Sequence, residues 1–319
     1  MRFGLRVQWL RLAMVMAGLG VAGSAQAETL TIDALYPARD RDAAQVGSLV
    51  VERFGGRDGA ELSFALEGVL NEVIVYGQPY FKVVAERSSA PADAVLSGIA
   101  TAQVQNQPVE ENRKECVERD DNDKCVREEP VKIRCNRRIV SLNPSLRMAR
   151  IDDGAIVYQR QIYKGDQIVV CPDRQANRSL PETVSMLVEQ VADEVRGDIA
   201  PVFRSDAIRV LEGRKGLDKD QSNRFKDALK ATFRNPDQAC SIWQALDTEV
   251  PGQSSVVFNL ALCAEQRGEL DEAVTRYRQA QTLLPREPAI RAAFDRIAAR
   301  QAAEADYNAR EARLGGAGS

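Results

Sequence analysis

Six cysteines and one knot of acids are the side chains of this 319-residue chain best equipped for chemistry. Cys116 and Cys125 bracket Asp120, Asp121 and Asp123 in the stretch CVERDDNDKC, which raises three options: a metal loop, a redox site or a covalent staple. A calcium loop of the EF-hand type needs Gly at its sixth position and Glu at its twelfth. Counted from Asp121, those places hold Val126 and Lys132, and Lys124 and Arg127 offset the acids. Four-cysteine zinc sites pair cysteines two to four residues apart, and dithiol redox centres use C-x-x-C; neither spacing occurs. No metal or other cofactor is expected, and the staple remains. Cys116, Cys125, Cys135, Cys171, Cys240 and Cys263 make an even set, as a disulfide framework requires.

Histidine is absent from the whole chain. That removes Ser-His-Asp and Cys-His nucleophile arrangements, His-ligated metals and the usual neutral-pH proton shuttle. An enzyme would have to work through carboxylate pairs or Ser-Lys chemistry. Gly213-Arg214-Lys215-Gly216 lacks the spacing of a phosphate-cradling loop and reads as a linker turn. The expectation is a protein that is not an enzyme.

The compartment follows from the first 27 residues. Arg2, Arg6 and Arg11 precede an apolar run from Leu12 to Gly23, and Ala25-Gln26-Ala27 supplies the small-x-small pattern of a signal-peptidase site. The run is too short for a membrane-spanning helix, which needs about 20 apolar residues. Cleavage after Ala27 would leave no transmembrane segment and move the formal net charge from −3 to −6, because three arginines and no acids are lost. A mildly acidic, charge-mixed chain has no general attraction for nucleic acid. The expected location is the bacterial periplasm, an oxidising compartment in which disulfides persist.

The elements that must position these residues are read from periodicity. Glu28–Pro37 reads as a strand, Ala38–Phe54 as a helix stopped by Gly55-Gly56, and Leu62, Leu66, Val69, Leu70 and Val73 as the apolar stripe of a second helix after Asp58. Tyr80–Ala85 and Ala94–Val104 read as strands. Two long strands, Ile139–Ile151 and Ala155–Val170, flank an Asp152-Asp153-Gly154 turn. Leu180–Phe203 is an amphipathic helix opened by Pro181 and Glu182. Between Gln105 and Arg138 the apolar pattern gives way to charge of both signs. The predicted fold class is α+β/α multi-domain: a sheet flanked by helices over 28–205 with a charged insertion at 105–138, a linker at 206–219, helical repeats over 220–310 and a disordered tail at 311–319.

The passages LEGVLNEVIVYGQPYFKVVAERS, ADAVLSGIATAQV and SLRMARIDDGAIVYQRQI resemble the periplasmic domain shared by the curli-secretion lipoprotein CsgG, the peptidoglycan-synthase activator LpoB and the N-terminal domain of TolB. The curli channel builds its barrel from amphipathic hairpins inserted in this domain. The insertion here is packed with Glu, Asp, Lys and Arg, cannot face lipid, and excludes pore formation. A homo-oligomeric ring follows from the resemblance by analogy only.

In the C-terminal third, Ala239, Trp243 and Pro251 recur 34 residues later as Ala273, Tyr277 and Pro285. With Leu260, Ala261, Ala264, Gly268 and Ala280, these positions resemble the tetratricopeptide (TPR) repeat. The resemblance implies paired helices with small residues at their crossings, a capping helix around Ile290, Phe294 and Ile297, and a concave face that holds a protein or peptide.

Register and repeat position predict the cysteine pairing. A turn centred on Asp153 places Cys135 and Cys171 at equal distances on facing strands. A turn at Asp120-Asp121 does the same for Cys116 and Cys125, while Cys240 and Cys263 fall on neighbouring repeat helices. Cys125–Cys135 is the competing pairing, and two free buried thiols are the alternative for the last pair. The functional expectation is an exported scaffold or adaptor of the cell envelope that binds a protein partner through its TPR module, with Asp120, Asp121 and Asp123 as a docking loop. The alternative is a cell-wall hydrolase or synthase, or its regulator, acting through carboxylates.

Overall fold

The alternation of apolar and polar residues governs β1 (Thr29–Tyr36), which buries Leu30, Ile32, Ala34 and Tyr36 on one face. The computed structural model describes residues 28–88, 90–174 and 176–316, so the signal sequence expected over 1–27 lies outside the described residues. After β1, α1 (Arg41–Ala44) is a single turn capped by the Asp40 carboxylate, and β2 (Ser48–Val51) follows. The helix expected over 38–54 is thus confined to four residues. Leu49-Val50-Val51 joins a sheet hydrogen-bonded on both edges, where β-branched side chains pack better than in a helix.

Gly56, at φ +87°, turns the chain into α2 (Gly59–Asn71), which buries Leu62, Leu66 and Leu70. A short ribbon of β3 (Ile74–Val75) and β4 (Gln78–Pro79) turns at Gly77 and leads to β5 (Lys82–Val84). Then come β6 (Ala94–Ile99), β7 (Ala102–Arg119), β8 (Cys125–Leu142), β9 (Ser145–Arg150), β10 (Ile156–Gln161) and β11 (Lys164–Val170). One sheet has the order β10-β9-β6-β2-β5, with β2 parallel to β5 and β6, and a second has the order β11-β8-β7. The same three stretches of chain run through both sheets, each interrupted once. The strands expected over 94–104, 139–151 and 155–170 are therefore each split; Pro144, which has no N–H to give a ladder, lies between β8 and β9. The turn at Asp152-Asp153-Gly154 forms as expected, with Gly154 at φ +70°.

A capping box between Ser179 and Glu182 starts α3 (Leu180–Ile199), which lays Val184, Leu187, Val188, Val191 and Val195 into the core beneath the sheet. The helix stops at Ile199, and β12 (Val202–Arg209) returns antiparallel to β1 along its full length. The linker expected over 206–219 therefore begins inside a strand. Five helices complete the chain: α4 (Lys219–Ala231), α5 (Pro236–Glu249), α6 (Ser254–Gln266), α7 (Leu270–Leu283) and α8 (Pro288–Gly316). Shifting α5 by the 34-residue period reproduces both ends of α7, and the same shift carries the start of α6 to the start of α8.

The fold is mixed α+β, with strands and sheets followed by a run of helices, and it holds two apolar cores. The first lies between α2, α3 and the five-stranded sheet. The second joins α4–α8 with Leu30, Ile32, Ala34 and Tyr36 of β1, so the first strand of the expected 28–205 unit packs with the helices instead. The final helix spans both. Ile290, Ala293 and Ile297 lie in the second core, whereas Ala303 and Tyr307 join the first. Arg310, 3% exposed, donates to the carbonyls of Val46 and Tyr80 and lies 4.1 Å from the Tyr80 ring centroid. Residues 311–316 of the expected disordered tail are helical, because α8 is docked there and not merely a cap.

Candidate functional site: a stapled arm and a self-filled groove

The charged insertion is a two-stranded arm. β7 and β8 have 18 residues each, about 60 Å of extended chain at 3.3 Å per residue. β11 pairs with β8 only as far as Val170↔Asn136; beyond that row β7 and β8 continue alone. The continued register sets Cys171 opposite Cys135, and these two form a disulfide with Cα atoms 4.4 Å apart. This bridge fastens the root of the arm where its third strand ends. Near the tip Cys116 is bridged to Cys125, Cα–Cα 5.7 Å. Here the expected symmetry about Asp120-Asp121 gives way to a turn centred on Asn122: Cys125 faces Arg119 and Cys116 faces Glu128, with two register shifts between them.

The three tip aspartates do different things. The Asp120 carboxylate accepts from the N–H groups of Asn122 and Lys124, both at 2.9 Å, and so folds the turn. Asp123 sits at φ +63°, a conformation Asp tolerates better than most residues, and lies 3.5 Å from Arg119. Asp121 enters no ion pair among the described residues. At the root, Glu111 lies beside Cys135 and Cys171 in a grouping that could recruit a metal ion. Its sulfurs are joined to each other and offer no thiolate, and Glu111 is paired with Arg113 and Arg174.

The repeat positions come together in the helical array. Ala239, Ala261, Ala264, Ala273 and Ala280 have no exposed surface and lie in the second core, where Trp243 and Tyr277 are fully enclosed as well. Leu260 is 4% exposed. Gly268, at φ +79°, ends α6, and Pro251 and Pro285 follow α5 and α7. Cys240 and Cys263 bridge α5 to α6.

The inner face of this array is not open. Every residue of α6 from Ser255 to Glu265 is buried, because β1 and the chain after β12 lie across it. Asn259 accepts from the Leu211 N–H at 2.8 Å and donates to the Leu211 carbonyl at 2.9 Å. Gln253 donates to the carbonyls of Gly213 and Lys215, and Gln266 donates to that of Thr31. These three amide side chains thus hold this chain's own backbone. The physical reason is the amphipathic β1: in a two-stranded sheet its apolar face has nothing else to cover it.

Two buried carboxylates escaped the sequence reading. Glu265, with no exposed side-chain surface, receives both arms of the Arg296 guanidinium at 2.6 Å each and the Tyr277 hydroxyl at 2.9 Å. Burial, reinforced by Glu265, pushes the Tyr277 phenol well above its ordinary range. Asp198, 3% exposed, accepts from Tyr158, Arg160 and Arg39 and ties α3 to β10. Burial, then the hydrogen bond to Asp198, raises Tyr158 as well. Both networks are saturated by their own partners and act as internal clamps. The only signal for Glu265 was its place at the end of an otherwise apolar helix.

Three disulfides are the chemistry of a chain that matures outside the cytosol. Among the described residues no helix is long and apolar enough to cross a membrane. No protein-family model matches this chain, and no curated protein matches it. Among solved structures it is similar to a protein assigned as a lipoprotein from Caulobacter crescentus CB15, at 15% identity and a TM-score of 0.26, over 50% of this chain and 90% of that one. It is also similar to a protein assigned as a neuraminyllactose-binding hemagglutinin homolog from Helicobacter pylori, at 12% identity and a TM-score of 0.27, over 50% and 83% of the two chains. At these values neither similarity assigns this chain a family or a function.

Proposed function

We propose that this chain is a non-enzymatic scaffold or adaptor of the bacterial cell envelope, exported to the periplasm, with a CsgG/LpoB/TolB-like α/β domain and a short TPR-like array. The observation that carries this reading is the arm. A solvated two-stranded ribbon fixed at root and tip by disulfides presents charge at a defined distance from the body. Such a device suits docking, since the ordering cost is met before a partner arrives. The 34-residue recurrence of helix boundaries supports the TPR-like reading of α4–α8. Because β1 fills the inner face of that array, an outside partner meets the arm and the outer helix surfaces.

The test is recovery of a tagged full-length chain from crosslinked envelopes, followed by mass spectrometry. A reproducible set of envelope proteins is expected, and it should shrink when Asp121 at the tip and Glu115 midway along the arm are replaced by Lys. Recovery of the chain with no envelope protein, or an unchanged set in the variant, would sink the proposal.

A further inference from the structure

We infer that the arm is also a surface for self-association: two copies lay their arms side by side and antiparallel about a two-fold axis, the acidic tip of each against the basic root of the other. The charges are sorted along the arm. Residues 115–129 hold seven acids and three bases, whereas the root rows, 102–114 and 130–142, hold six bases and two acids. Much of the middle is neutralised within the chain, through Lys132–Glu110, Lys114–Glu128 and Arg127 with Glu118 and Glu129. What is left over lies mostly toward the two ends. Among the described residues Asp121 and Lys124 at the tip, Glu115 midway along the arm, and Arg134, Arg137 and Arg138 at the root enter no ion pair.

These ends cannot serve each other within one chain. Fourteen rows separate Asp121 from the row of Arg137, about 45 Å along a strand, several times the screening length of about 10 Å at 0.1 M salt. A second copy removes the separation. With the axis between the rows Arg113↔Val131 and Lys114↔Pro130, an antiparallel arm sets Asp120 beside the row of Arg137 and Asp121 beside the row of Arg138. Two-fold symmetry makes each contact twice, as isologous dimers do. The outer edge of β7 is not hydrogen-bonded to any described strand; Arg57 and Asp58 hold the backbone of Ala102 at its start, and among the described residues no strand takes the side the second arm would take. Like-signed ends meet in the parallel arrangement, which charge therefore disfavours.

The experiment is sedimentation velocity on the full-length exported chain across salt. A dimer is expected at micromolar concentration in about 50 mM salt, with a dissociation constant at least about tenfold weaker at 500 mM, because the contacts are exposed and screened. Two charge-reversed variants, R137E/R138E and E115K/D121K, spare the turn-forming Asp120. Each is expected to sediment as a monomer, and their mixture to regain the dimer, since tip and root are again opposite in sign in the mixed pair. Circular dichroism on each variant checks that the fold persists. A monomer at every salt concentration, a dimer indifferent to salt and to both reversals, a mixture no more associated than its parts, or an assembly larger than two chains would each overturn the proposal. Because mass is read on purified protein, this result is independent of whether envelope partners are recovered.

Discussion

Asn259 on α6 closes a two-way hydrogen-bonded ring with the backbone of Leu211, accepting from its N–H and donating to its carbonyl. Asn259 has no exposed surface, so neither bond has water as a substitute. Asn259→Ala is expected to strand both backbone groups and cost about 2–4 kcal/mol, with Asn259→Asp also destabilising because it loses the donor and buries a charge. Urea denaturation measures this; a loss under about 0.5 kcal/mol for Asn259→Ala would show that the segment after β12 is not held by this contact.

The pair of Glu265 and Arg296 offers a sharper contrast. Glu265→Gln leaves the guanidinium buried with a weaker partner and is expected to cost about 3–5 kcal/mol. Replacing both, as Glu265→Leu with Arg296→Met, removes the charge pair and should recover part of that loss, the rest persisting because the Tyr277 hydroxyl and Arg300 lose the same carboxylate. If the double variant were as unstable as the single one, the pair would be valued for its shape and not its charge.

Alkaline pH should unfold the protein through its tyrosines. Burial pushes Tyr80 up to about 12 and also raises Tyr158 and Tyr277, whereas the unfolded chain titrates near 10. With the folded-state values above the unfolded one, this contribution is complete below about pH 10 and is lost as pH rises toward and beyond 12. Tyrosinate absorbance is expected to show a buried class that appears together with the loss of circular dichroism. Titration of all seven tyrosines near pH 10 in the folded protein would contradict it.

The disulfides should differ in consequence. Cys116–Cys125 closes a short loop at the exposed tip and touches neither core, so its double Ser variant should melt within a few degrees of the parent. Cys240–Cys263 joins two packed helices, with Cys263 fully enclosed. Its removal is expected to cost about 3 kcal/mol, and mild reductant should open the tip bridge first. Calorimetry and thiol labelling read both.

Arg310 fastens the last turns of α8 to the first core, and Arg41 pairs with Asp306 beside it. Arg310→Ala loses the buried carbonyl contacts and the stacking on Tyr80, and is expected to split one calorimetric transition into two as the cores uncouple. A single, uniformly lowered transition would mean that other α8 contacts suffice.

Much of this was legible along the chain. The stripes of α2 and α3 carry their apolar residues at helical spacing, Gly154 marks its turn by glycine's backbone freedom, and the equal distances of Cys135 and Cys171 from that turn pointed to their bridge over the competing Cys125–Cys135 pairing. The repeat helices announced themselves by Ala239, Trp243 and Pro251 recurring as Ala273, Tyr277 and Pro285. Local rules suffice for such features because neighbours in sequence make the contacts.

What the sequence could not decide was which distant surfaces meet. Residues 48–51 became a strand because β5 and β6 bind both of its edges, and 202–209 became a strand only because β1 lies beside it. The groove of the helical array, open by analogy, is filled by β1, and α8 continues past its expected end because Tyr80 and Val46 receive Arg310. Composition and periodicity determined the long helices, the turn at Gly154 and the charge of the arm. Long-range packing alone decided their partners, since an apolar face specifies that it must be covered but not by what.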